Sequence, residues 1–245
     1  MGAGGLGISR QRPTRPSMRL ALMKGFDLTC DGRAISVPMS AQRLVAFLAI
    51  QDRPLLRGFV AGSLWPDSRE DRAAANLRSA LWRLHGSGHK VIHATGRALK
   101  IGSDIVVDVH ELSRLAALLL DRESEVPNAE LRRVGLLGDL LPGWYDDWVL
   151  IERERIRQIR LHALEALSER LTEAGRYAQA IQAAMAAVAG EPLRESAHRA
   201  LIRAYIAEGN LAEAIRQFET CRKALRSELG LEPSAQLRAL FKPSP

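Results

Sequence analysis

Arg72, Asn76, Ser79 and Arg83 recur at helical spacing within the stretch DSREDRAAANLRSALWRL, residues 67–84. On a 3.6-residue period they share one side with Trp82, and Arg78 lies on the flank. The other side is an apolar stripe of Leu77, Ala80, Leu81 and Leu84, continued by Ala73 and Ala74. The polar set has one chemistry in common, hydrogen bonding to base-pair edges. Arg matches guanine, Asn matches adenine, and Ser serves either a base or a phosphate. Ser68 is placed to cap this helix, and Glu70 and Asp71 put carboxylates in its first turn, where the helix dipole favours them. Gly86 and Gly88 stop it. Taken alone, the pattern also describes the solvated face of an ordinary core helix, so the neighbouring elements decide.

Other residues suggest other chemistry and lack the context for it. His85, His89 and His93 are spaced four apart, but Gly86 and Gly88 break the helix between them. They cannot share one helical face, and no Cys or carboxylate completes a metal set. GAGGLG at residues 2–7 matches GxGxxG formally, without a strand before it or a helix after it. No Ser/His/Asp, paired-carboxylate or phosphate-cradling signature has supporting context. The reading is therefore a non-enzyme without metal or cofactor.

The elements around the helix supply a frame. Leu20, Leu22, Phe26 and Leu28 alternate as strands, Asp31-Gly32 signals a hairpin, and Ile35 and Val37 supply a short return strand. After Pro38, with Ser40 as a cap, residues 41–50 read as a helix with Leu44, Phe47 and Leu48 inward. Pro54 separates a second helix, residues 56–65, and the stretch described above is the third. Residues 90–94 and 98–101 then flank the hairpin Thr95-Gly96-Arg97, and residues 105–108 form a last strand. Two strands, three helices and a hairpin make a winged helix with an added N-terminal sheet. Such a frame lays its third helix in the major groove and its hairpin on the backbone or minor groove. Thr95, Arg97 and Lys100 sit where that wing needs them. Of the aromatic residues in this half, Phe26, Phe47, Phe59 and Trp65 fall at core positions and only Trp82 does not.

Charge agrees with that frame. The 245 residues carry a net charge of +7, of which residues 1–108 hold +8 and residues 109–245 hold −1. An anionic partner is expected at the N-terminal half. Hydrophobic content of 47% and charged content of 26% describe a soluble globular protein. No apolar run approaches the roughly 18 residues of a membrane span. There is no signal-peptide core, and the two cysteines, Cys30 and Cys221, are far apart. A reduced cytoplasmic location without disulfides or membrane contact is expected. Residues 1–17, rich in Gly, Arg and Pro, read as a disordered basic tail.

Beyond Val109 the reading is almost wholly helical. Short helices are expected at residues 109–120 and 129–137, then a loop in which Trp144 and Trp148 pin the backbone to the helices. A long charged helix follows to about Glu173. A shift of 34 residues then superimposes Leu167 on Leu201, Leu171 on Tyr205, Gly175 on Gly209, Ala180 on Ala214 and Ile181 on Ile215. Ala184 falls on Phe218. That period resembles the tetratricopeptide repeat. The second copy has Arg226 where the first has Pro192, so its last helix should run on to Leu229. Two repeats bury too little alone, so flanking helices, including residues 234–241, should act as caps.

SLWPDSREDRAAANLRSALWRL, IVVDVHEL, GDLLPGWYDDW with the following ER pairs, the two repeats and GLEPS together resemble the bacterial transcriptional activators of the antibiotic-regulatory type. The resemblance covers about residues 18–240. It implies an OmpR-like winged helix at residues 18–108 and a helical activation domain at 109–245, giving a mainly α chain. It also implies sequence-specific binding to promoter DNA, often at direct repeats, with RNA polymerase recruitment or pairing of two copies through the helical part. The family's recognition helix falls on residues 71–84 and its wing on 90–101. The competing reading is an adaptor whose repeats bind a protein and whose basic half is incidental. Asn76 and the basic hairpin speak against it, because a solubilising face needs neither. A general nucleic-acid coat would display stacking aromatics, of which the N-terminal half has few to offer.

Overall fold

The computed structural model describes residues 17–121, 123–124 and 138–241. The expected tail, apart from Ser17, and the expected helix at 129–137 lie outside them. Among the described residues the chain forms two compact units. One comprises Asp27–Val107 with the strand residues up to Leu20, and the other runs from Asp108 onward and includes Ala21–Phe26.

The first unit begins with β1 (Met18–Ala21), β2 (Asp27–Cys30) and β3 (Arg33–Ala34). With β7 (Ile105–Val107) they form a sheet in the order β3-β2-β1-β7, in which Met18 to Leu20 pair in parallel with Ile105 to Val107. The return strand is Arg33–Ala34 rather than Ile35 and Val37. Asp31 and Gly32 both have positive φ, so the turn is tight and Cys30 pairs with Arg33 at once. Ile35 still donates its amide to the Leu28 carbonyl at 2.7 Å.

Three helices follow: α1 (Met39–Gln51), α2 (Arg57–Leu64) and α3 (Glu70–His85). Helix α1 is the hub, with Leu44 to Ile50 buried on all sides. Its N-cap is Pro38, not Ser40, and no side chain caps it. Between α1 and α2 lies β4 (Leu55–Leu56), which takes Leu56 out of the expected helix at 56–65. It pairs with β6 (Ala98–Ile101), and β6 pairs with β5 (Ile92–Thr95), so the wing is a three-stranded sheet in the order β4-β6-β5. The result is a winged helix-turn-helix with an N-terminal sheet.

Among its described residues the second unit is helical apart from its entering segment, whose Met23 bridges Leu140. Helices α4 (Asp108–Leu120), α5 (Asp147–Glu173), α6 (Tyr177–Gly190), α7 (Glu195–Glu208) and α8 (Leu211–Leu229) lead to a short α9 (Ala235–Arg238) and a 3-10 turn, Ala239–Phe241. The 34-residue register holds in space. Leu167 and Leu201 are buried, Ala180 and Ala214 are fully buried where helices meet, and Gly175 and Gly209 take φ of +71° and +88° at the two turns. A side chain at either glycine would strain the left-handed turn. Helix α8 does run to Leu229, and Leu237 of the closing segment is fully buried against Ile202, Ala214, Cys221 and Leu225.

Two arginines of α5 tie loops to this bundle. Arg153 donates to the carbonyls of Leu140, Leu141 and Trp144 at 2.8, 2.7 and 2.9 Å. Arg170 donates to those of Leu118 and Leu119 at 3.1 and 3.0 Å, and to those of Asp121 and Ser124, closing the C-terminal end of α4. Trp144 is buried, stacks on Phe26 at 6.3 Å and meets Trp148 edge-on at 6.5 Å, so the loop is pinned as its aromatic residues suggest.

Candidate nucleic-acid interface

Helix α3 is built to be inert on one side and chemically rich on the other. Ala73, Leu77, Ala80, Leu81 and Leu84 are buried against α1 and α2. Burying that stripe leaves the opposite stripe no freedom to turn inward. Arg72, Arg78, Ser79 and Arg83 are exposed, and Asn76 is half-buried between them. From Arg72 to Arg83 the helix rises about 16 Å at 1.5 Å per residue, which keeps four polar side chains on one rigid line. The cap differs from expectation. The helix starts at Glu70 with Arg69 at the N-cap and no side-chain capping bond, so Ser68 does not cap it. Glu70 and Asp71 do occupy the first turn, and Gly86 ends the helix.

The polar residues differ in what already holds them. Arg83 donates from Nη1 to Ser40 Oγ at 3.3 Å, which steadies its guanidinium near the start of α1. Among the described residues, the side chains of Arg72 and Arg78 have no ion-pair partner. Trp82 is 77% exposed, an outward aromatic on the same helix. Phe59, expected in the core, is instead 52% exposed, with its ring leaning on Phe47 at 6.2 Å.

The wing turns at Gly96-Arg97 between the paired residues Thr95 and Ala98. Gly96 has φ of +59°, and the Arg97 carbonyl accepts the Arg57 amide at 2.9 Å, so the tip is anchored to the start of α2. Thr95 and the Arg97 side chain are exposed there. Lys100 stands back from the tip on β6, opposite His93, and its Nζ lies 3.8 Å from Asp52 Oδ1. Its charge is thus partly satisfied by the loop after α1. Two of the histidines, His85 and His89, turn to the backbone. His85 Nδ1 lies 2.8 Å from the Leu81 carbonyl and His89 Nδ1 lies 2.7 Å from that of Ser87.

A winged helix with an exposed polar face, joined in one chain to a tetratricopeptide-like helical unit, is the architecture of a class of bacterial regulators. The bacterial transcriptional activator domain family matches residues 107–243, and the chain belongs to that family. It is 28% identical over 221 residues to Regulatory protein AfsR of Streptomyces coelicolor, an alignment that covers 86% of this chain and 22% of that protein. It is 34% identical over 90 residues to Regulatory protein DnrI of Streptomyces peucetius, covering 37% of this chain and 33% of that protein. The chain thus spans between a fifth and a quarter of the AfsR relatives it matches. Among solved structures it is similar to Mycobacterium tuberculosis EmbR in complex with a low affinity phosphopeptide, with a TM-score of 0.74 and 20% identity. That match covers 92% of this chain and 64% of the other, and it shows the shared fold of winged helix and helical unit. Among the described residues no helix is long and apolar enough to cross a membrane.

Proposed function

We propose that the chain is a transcriptional activator that reads double-stranded promoter DNA through α3 and the wing. The observation that carries this reading is the line Arg72, Asn76, Ser79 and Arg83, presented outward by a helix whose other face is locked in the core. Arg and Asn are the side chains that make bidentate contacts with guanine and adenine in the major groove. Arg78 on the flank of the helix, with Thr95, Arg97 and Lys100 on the wing, supplies backbone contacts that fix register without reading sequence. The description of the family supports transcription as the process, and the relatives are named as regulatory proteins. In this reading the helical unit recruits RNA polymerase or joins two copies on direct repeats. The chain has no catalytic role.

Selection of bound duplexes from random DNA tests the proposal. The expected result is a defined motif, repeated at about one helical turn if two copies bind side by side. Recovery of fragments without a shared motif would reject sequence reading, and no recovery would reject DNA as the partner.

A further inference from the structure

The second repeat carries a face that, among the described residues, is only half covered. In the first repeat, Tyr177 and Ile181 are half-buried and Ala184 is fully buried, because the whole of α7 lies against α6. Ile181 packs on the cluster of Ala184, Ala200 and Leu201. Shifted by 34 residues, the same positions are Leu211, Ile215 and Phe218 on α8. There Leu211 is 55% exposed and Ile215 48%. Ile206, at the end of α7, joins them at 38%.

The cause is the length of the element that covers them. Helix α7 has 14 residues, whereas α9 and its 3-10 turn have four and three. The closing segment runs along α8 from Leu225 towards its start, seating Leu237 in the core and Phe241 edge-on to Phe218 at 5.3 Å. Among the described residues it covers the Phe218 end of this face, about two helical turns less than α7 covers on the first repeat. The remaining groove, about 610 Å³, is walled by Ile206, Leu211, Ile215, Phe218 and Phe241. Among the described residues one charged side chain lines it, Arg238, which is exposed and has no ion-pair partner there.

We propose that this groove is a docking site for an amphipathic helix from another protein, seated as α7 is seated on the first repeat. The repeat itself shows which kind of element closes this face. The occupant needs about two turns with apolar side chains at i, i+3 or i+4 spacing, facing Leu211 and Ile215. Arg238 sets its charge, because a lone guanidinium beside an apolar wall favours a partner carrying Asp or Glu at that edge. The site lies wholly within the helical unit and does not depend on how the winged helix binds DNA.

The test uses the full chain and a displayed library of 14-residue helices with one face randomised. The expected binders share apolar residues at helical spacing and an acidic residue at one flank. Ile215→Asp, a change at an exposed position, is expected to weaken them at least tenfold, and Leu211→Ser to weaken them as well. Arg238→Glu is expected to invert the preference, so that a Lys-substituted version of the same peptide binds better than the acidic one. Circular dichroism of each variant checks that the helices persist. No enrichment, or binders indifferent to Ile215→Asp and Arg238→Glu, would overturn the proposal. So would self-association of the full chain that Ile215→Asp abolishes, because the groove would then belong to a second copy.

Discussion

The Asp108 carboxylate accepts the backbone amide of Met23 at 2.9 Å, across 85 residues of chain. It also accepts the amides of Leu22 and Val109, so the first residue of α4 holds the entering segment by its backbone. Burial holds this carboxyl above its ordinary value, while the three amides pull it back down. Asp108→Ala leaves the Leu22 and Met23 amides without an acceptor beside buried side chains. The expected loss is about 1–3 kcal/mol of stability, measured by denaturant unfolding. An unchanged midpoint would mean that water replaces the carboxylate at no cost.

Base reading and backbone binding should separate by mutation. Asn76→Ala and Arg83→Ala are expected to relax preference at particular base pairs, each by about 1–3 kcal/mol. Arg97→Ala should weaken all sequences alike and lower the salt slope by about one unit. Asp52→Asn keeps a residue that tolerates its left-handed φ of +42° and releases Lys100, so binding to every sequence should tighten at low salt. Fluorescence anisotropy against salt, with matched and scrambled duplexes, reads all three.

Histidine chemistry predicts a pH dependence in the helical unit. His198 is buried, with Nε2 2.9 Å from the Pro192 carbonyl and Nδ1 2.7 Å from Gln217 Nε2. The pairing requires Nε2 to donate and Nδ1 to accept, which is the neutral ring. Burial lowers its pKa below 6.5. The unfolded chain therefore binds the proton more readily, and this contribution is present above the ordinary histidine value and lost as pH falls through it. Thermal unfolding should show stability rising across that range, and His198→Gln should flatten the rise.

Arg153 should matter more than its place on a charged helix suggests. It holds three carbonyls of a loop in which buried Leu141 is forced to φ of +42°. Arg153→Met keeps the stem and removes the donors. The expected cost is roughly 1.5–3 kcal/mol, with the environment of Trp144 and Trp148 becoming more solvent-exposed in fluorescence. No change in either readout would assign the loop's position to its aromatic contacts alone.

What could be read from the sequence follows from how far each determinant reaches. The stripe Leu77, Ala80, Leu81 and Leu84, with Ala73 before it, was legible because a 3.6-residue period repeats over about three turns. The twin turns at Gly175 and Gly209 were legible because the 34-residue period repeats the whole pattern. Strand β4 was not, since Leu55 and Leu56 are too few to show a period and pair only with distant β6. The caps at Ser40 and Ser68 failed because Pro38 and Arg69 start the helices without a side-chain bond. Arg153 and Arg170 carry no local signal, since their partner carbonyls lie nine to 13 and 46 to 52 residues away. On α3 the residue types and their outward placement were legible. The hold of Asp52 on Lys100 was not, because it joins a loop to a strand 48 residues later.

Because Ala21–Phe26 belongs with the helical unit while the strands on either side of it belong with the other, the chain passes between the two units three times. A single cut after Val107 leaves six residues of one unit still attached inside the other, with buried Leu22 and Met23 stripped of their surroundings. A chimera that exchanges only the DNA-facing half must therefore carry over a matched residue 21–26 segment from the recipient, so this architecture resists shuffling by one crossover.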